Sequence, residues 1–326
     1  MAMMKVQCLS HTPLMGLCDP SPHVVDEVRQ TLLRLRNELL RFDPEVIFLF
    51  APDHFNGFFY DLMPPFCIGV RAESVGDYET SSGPLQVPSD IAEACVRAVL
   101  SADVDCAVSY RMQVDHGFAQ PLELLTGALD RYPVVPIFIN SVAAPLPSFR
   151  RARLLGQAVG HYAATLNKRV LFMGSGGLSH NPPVPTLRGA TPEIAERLIC
   201  GRNPGAQARA ERQSRVLAAA REFATGQSML QPLNPQWDRQ FLSALENQDF
   251  EWMDAWSNDA LSSIAGASVH EVKSWVAANA AMHAATRGSY VARSEYYEAI
   301  PEWIAGFGVL QGQSSMGATL ESIEVR

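Results

Sequence analysis

Apolar positions change period along the chain, and the changes mark out its elements. Residues 4–9 are a short apolar run, a strand candidate, and Asp19-Pro20-Ser21-Pro22 is turn chemistry. From 24 to 42, Val25, Val28, Leu32, Leu35, Leu39 and Phe42 recur at helical spacing with charges between them, up to Pro44. EVIFLFAP, 45–52, is continuously apolar, as in a parallel strand covered on both faces. Strand, helix and strand in that order form a β-α-β unit.

The alternation continues. Ser89 is placed to cap a helix over 90–100, and DCAVSY (105–110) reads as the next strand. Residues 119–130 read as helix, VVPIFIN (134–140) as buried strand, 148–166 as helix and VLFM (170–173) as strand. From 192 to about 226 the chain is rich in Ala, Arg and Glu and helical, interrupted near Gly201–Gly205; 238–247 and 269–286 are further helices. The predicted fold class is α/β: a layered fold with a central, largely parallel or mixed sheet flanked by helices, and a helical C-terminal third. One domain is expected over 1–310. The segment 311–326 has little to bury and is expected to be a mobile tail.

Composition narrows the function. A net charge of -8 and the lack of a dense Lys/Arg stripe argue against nucleic acid or an anionic membrane as partner. No run approaches the ~20 apolar residues that span a bilayer. Six cysteines, at 8, 18, 67, 95, 106 and 200, form no C-x-x-C and read as reduced thiols, which with the absence of a signal-like N-terminus predicts a cytoplasmic protein.

GSGGLSH, 174–180, resembles a phosphate loop but has neither the Gly-Lys-Ser/Thr of a P-loop nor a third glycine in dinucleotide register. Pro182, Pro183 and Pro185 stop a helix from following. His180 is the chemically capable side chain of that turn. Three more histidines share its context: His11, His54 and His116 each follow a predicted strand, the edge of an α/β sheet where ligands bind. Singly, each of these three is most simply a hydrogen-bonded loop residue; together they form a candidate metal or acid/base group. His23, His161, His270 and His283 read as structural.

Glu271 is the best candidate carboxylate, because it lies on an apolar helical stripe with Trp275, Ala278 and Met282, where an unpaired charge is costly. Asp53 is a rival ligand, or a support for its neighbour His54, and Asp115 has the same ambiguity beside His116. Two histidines and a carboxylate hold Fe(II) in oxygenases and Zn in hydrolases. The aromatics of FNGFFYDLMPPF (55–66) line an apolar pocket or belong to the core.

LSHTP, FAPDHFNGFFYD, MQVDHGFAQPL, GSGGLSHNPPVP and HEVKSWVAA together resemble the class III extradiol ring-cleavage dioxygenases, of the protocatechuate 4,5-dioxygenase catalytic-subunit type, as far as PEWIAGFG at 301–308. That resemblance implies Fe(II) held by His11, His54 and Glu271, with His180 as proton acceptor and His116 as proton donor. It implies a catechol and O2 as substrates, the catechol being 3-(2,3-dihydroxyphenyl)propanoate or its cinnamate analogue. The product would be of the 2-hydroxy-6-oxonona-2,4-dienedioate type. A homo-oligomer, tetramer or larger, is also implied. The rivals are a Zn-dependent hydrolase on the same residues and cleavage of a different catechol.

Overall fold

The computed structural model describes residues 3–314. Its first half contains β1 (Met4–Leu9), α1 (Pro22–Phe42), β2 (Val46–Ala51), β3 (Phe66–Gly69), β4 (Ala72–Val75), β5 (Ser82–Pro84), α2 (Ser89–Ser101), β6 (Ala107–Ser109), β7 (Met112–Val114), α3 (His116–Thr126) and β8 (Val134–Ile139). There follow α4 (Phe149–Ala163), β9 (Val170–Ser175), α5 (Pro192–Cys200), α6 (Ala206–Ala224), α7 (Pro235–Glu246), α8 (Phe250–Asp254) and α9 (Asn258–Ala265). A 3-10 turn (Val269–Val272), α10 (Lys273–Thr286), β10 (Tyr290–Ile300) and β11 (Ala305–Ser314) complete the chain.

Eight strands form a mixed sheet in the order β10-β11-β1-β9-β2-β8-β3-β6. Its centre, β1, β9, β2 and β8, is parallel; β11 joins β1 and β3 joins β8 antiparallel. Side chains alternate between two cores. Val6, Cys8, Phe48, Phe50 and Phe172 pack toward α2, α4 and α10, while Leu9, Ile47, Leu49 and Met173 pack toward α1 and α3. A second sheet, β5-β4-β7, stands apart from the first.

Three features differ from the sequence reading. α3 begins at His116 rather than near 119, because the Asp115 carboxylate caps it by accepting the Gly117 N–H. The strand before it is β7, in the small sheet; β6 is shorter than the run 105–110 and lies in the large one. The C-terminal third is helical through Thr286 but closes with β10 and β11, whose alternating polar and small residues hide them from a search for apolar runs. The expected tail from 311 therefore starts too early: β11 continues to Ser314 and buries Gln311, and the rest of that segment lies outside the described residues.

α10 passes so close to α4 that the contact needs glycine. A Cβ on Gly156 would fall 2.1 Å from the Ala277 carbonyl oxygen, and one on Gly160 2.1 Å from that of Ala281. The expected outcome for Gly156→Ala is a loss of about 1–3 kcal/mol of stability, as for overpacked cores, read as a lower urea midpoint; an unchanged midpoint would contradict the close approach.

Candidate active site

Three neighbouring parallel strands deliver the site. His11 follows β1, His54 follows β2, and the turn carrying His180 follows β9, which lies between them. The carboxyl edge of an α/β sheet is where loops converge. His116 arrives from another direction, as the first residue of α3. Glu271 comes from the 3-10 turn ahead of α10, and not from a continuous helix 269–286 as the sequence suggests.

These five residues meet. Glu271 is buried, and its Oε1 lies 3.2 Å from His54 Nε2 and 3.1 Å from His180 Nε2. Its Oε2 lies 3.5 Å from His11 Nε2 and accepts the Gly177 N–H at 3.0 Å. The His116 ring stacks on His54 with centroids 4.5 Å apart and meets His11 edge-on at 5.4 Å. His11, His54 and His116 also offer nitrogens within 4.8 Å of one another, so His116 rivals Glu271 as third ligand beside His11 and His54.

Each imidazole turns its Nδ1 outward to a fixed partner. His54 Nδ1 lies 3.0 Å from Asp115 Oδ2, His116 Nδ1 2.6 Å from Asp77 Oδ2, His180 Nδ1 2.7 Å from the Leu178 carbonyl, and His11 Nδ1 2.9 Å from Ser175 Oγ. A carbonyl or carboxylate can only accept, so His54, His116 and His180 carry their proton on Nδ1. The Nε2 atoms of His54 and His180 then face the Glu271 carboxylate either as lone pairs, which repel it, or with an added proton. A cation among them resolves the conflict. Outer hydrogen bonds of this kind also orient metal-binding histidines.

The charges follow from burial and partners. Burial pushes the His11 pKa down to about 3, leaving the ring neutral. Burial opposes protonation of His54 as well, but the Asp115 and Glu271 carboxylates prevail and raise its pKa well above the ordinary value. Burial alone would raise Glu271; the facing His180 and the hydrogen bonds from His180 and His54 carry it well below the usual carboxylate range.

The glycine turn has a clear use. A Cβ on Gly176 would meet the Glu271 Cβ at 2.6 Å, and one on Gly177 would come within 3.0 Å of the His180 ring. The turn is held by Trp275 Nε1–H donating to the Gly176 carbonyl and by the Ser179 N–H and Oγ–H donating to Asp238. The glycines thus make room for a carboxylate as well as for a histidine.

One supporting residue, Asp77, has no signal in the sequence, while Asp53 and Asp115 are flagged there beside their histidines. Asp77, in the loop after β4, holds His116 through both its ring and its backbone N–H. Asp115 holds His54 rather than its neighbour His116. Asp53 accepts the N–H groups of Asn56, Gly57 and Phe58, which fixes the turn after His54; burial and Asp115 raise its pKa to about 7. Phe59 and Phe66 are core residues, and Phe58 stacks on Phe138. His270 is buried between Ser262 and Lys273. A groove of about 290 Å³ between α1 and α3 is lined by none of the five.

Residues 5–308 match the family model described as the catalytic LigB subunit of aromatic ring-opening dioxygenase. A Dechloromonas aromatica (strain RCB) protein is 58% identical, over 95% of this chain and 98% of its own length; it is named 2,3-dihydroxyphenylpropionate/2,3-dihydroxicinnamic acid 1,2-dioxygenase 2. A Paraburkholderia xenovorans (strain LB400) protein named as a dioxygenase of the same two substrates is 58% identical, over 94% of this chain and 97% of its own. The solved structure of an uncharacterized protein from Escherichia coli K12 aligns over 94% of this chain and 99% of its own, at 13% identity and a TM-score of 0.49, too slight a likeness to carry an argument.

In metal-free protein near neutral pH, His54 is expected to be doubly protonated and His11 singly protonated, read from imidazole nitrogen NMR. The folded His11 pKa lies below its ordinary 6.5, so on acidification the unfolded chain binds that proton first. His11 therefore withdraws stability as pH falls from about 6.5 toward 3. A His11 ring titrating near 6.5 would contradict the burial argument.

Proposed function

The chain belongs to the aromatic ring-opening dioxygenase family of the catalytic LigB subunit, and from that premise we propose that it cleaves 3-(2,3-dihydroxyphenyl)propanoate, with 2,3-dihydroxycinnamate as the second substrate, in an extradiol reaction with O2. The observation that carries the reading is the meeting of His11, His54 and His180 Nε2 on one buried carboxylate. The family implies a metal, and the donor set fits one: neutral imidazole nitrogens and an ionised Glu271, with their outer atoms already committed. His11, His54 and Glu271 are the proposed ligands and Fe(II) the proposed ion. An Fe(II) ion held by these residues would supply Lewis acidity toward the catechol hydroxyls and redox coupling to O2.

The remaining work belongs to the chain. Because Nδ1–H of His180 is committed to the Leu178 carbonyl, its Nε2 offers a lone pair at the site, which suits it to take a proton from a catechol hydroxyl. His116 rests instead on the Asp77 carboxylate, a partner that stabilises an imidazolium, which suits it to hold and then donate a proton. The stacked ring of His54 and the edge of Tyr78, 5.0 Å from His116, restrain its orientation. This difference in partners supports His180 as proton acceptor and His116 as proton donor.

The proposal extends to a single catalytic domain, a homo-oligomer of four or more chains and a cytoplasmic location. Among the described residues no helix is long and apolar enough to cross a membrane, and all six cysteines are free. The Zn-hydrolase alternative consumes no O2, so an oxygen electrode separates the two: ring cleavage predicts O2 uptake matching the catechol consumed, and no uptake would contradict it.

His116→Gln and His180→Gln should each lower kcat about 10²- to 10⁴-fold, the usual value of a positioned acid or base, while metal content stays at the wild-type level. His11→Gln and Glu271→Gln should lose metal. If His116→Gln loses metal and Glu271→Gln keeps it, the ion belongs to the three imidazoles instead.

A further inference from the structure

The proposed substrate carries a carboxylate on its side chain, and the site it must enter is rich in the same charge. Asp77, Asp115 and Glu271 are all buried around the histidines. An added anion is repelled there unless a cation outside the metal position receives it.

Arg212 on α6 reaches that neighbourhood. Its Nη2 donates to the His54 backbone carbonyl at 2.6 Å and another donor is directed at Tyr78, while the five-donor guanidinium has further N–H groups for a ligand. It also lies close enough to Tyr78 to offset part of the upward push that burial gives the phenol, and Tyr78 in turn meets the edge of His116. Arg212 thus stands beside one proposed metal ligand and one residue removed from the proposed proton donor.

Two more arginines gather with it. Arg197 on α5 and Arg215 on α6 are exposed, and partial desolvation with the nearby charges of Arg215 and Arg212 lowers the Arg197 pKa. None of the three forms a salt bridge among the described residues, whereas Arg202 on the same segment pairs with Asp61. The segment that carries them is laid over the loop after His54, where the Tyr60 and Asp61 N–H groups donate to the Leu198 and Ile199 carbonyls. Guanidinium groups brought together without a counter-charge favour a bound carboxylate, which their forked donors match.

We propose that Arg212, in the field of Arg197 and Arg215, binds the side-chain carboxylate of the catechol and selects carboxylated over neutral catechols. This rests on the ring-cleavage reading above. The residue is a specificity determinant, and the bond it gives the His54 carbonyl couples substrate binding to that loop.

The test compares kcat/KM for 3-(2,3-dihydroxyphenyl)propanoate with that for 3-propylcatechol, a neutral analogue of similar length, on the Fe(II)-loaded full chain. In Arg212→Gln the acid-to-neutral ratio should fall about 10- to 100-fold, the range for a hydrogen bond to a charged group, mainly through KM of the acid. Arg212→Lys should retain part of it. A ratio within about twofold of wild type in Arg212→Gln overturns the assignment, whatever the absolute rates. Should that variant not fold, wild-type protein still decides: the acid's KM should rise with ionic strength relative to that of 3-propylcatechol, and a flat ratio overturns the proposal. Wild-type protein that cleaves neither catechol removes the ring-cleavage premise itself, a result distinct from an unchanged ratio.

Discussion

A single buried carboxylate sets the terms for this molecule. Glu271 is 2% exposed, and its oxygens face three imidazole Nε2 atoms and one backbone N–H. A buried charge without compensation is among the costliest features a fold can contain. Here the backbone N–H of Gly177 supplies part of the compensation, and the imidazoles supply the rest only with an added proton or a shared cation. A metal ion held between them would meet that requirement, which is why the cluster is the proposed metal site.

The fold is arranged to hold this cluster still. β1, β9 and β2 are adjacent and parallel, so their carboxyl ends place His11, the glycine turn and His54 side by side. The turn that bears Glu271 leads into α10, and α10 is fixed against α4 by glycines whose Cβ positions are filled by backbone oxygens of α10. Asp77, in the loop after β4, and Asp115, the α3 cap, orient the two stacked imidazoles, His116 and His54. The proposed acid and base differ by one detail, a carboxylate behind His116 and a carbonyl behind His180.

Much of this was legible in the residues. The periodicities of 24–42, 134–140 and 148–166 match α1, β8 and α4 to within three residues, because apolar spacing there reflects simple burial of a helix face or a whole strand. The recurrence of histidines after strands points to the rim, and His11, His54 and His180 do meet there with Glu271, joined by His116 from the start of α3. The hidden parts depend on long-range geometry. Asp77 touches His116 across 39 positions, and nothing in ESVGDYET distinguishes it from any loop aspartate. β10 and β11 mix glycine, tyrosine and glutamate, and acquire their strand character from pairing with each other and with β1. Arg212 is one of several arginines on a polar helix, and only the folded chain sets it against the His54 carbonyl.

The most direct test of the central claim is anomalous diffraction at the iron edge on crystals of the Fe(II)-loaded protein. The account predicts one strong peak within ligand distance of His11 Nε2, His54 Nε2 and the Glu271 carboxylate, with His116 and His180 beside it but uncoordinated. A peak bonded to His116 in place of Glu271, or one away from this cluster, would contradict it.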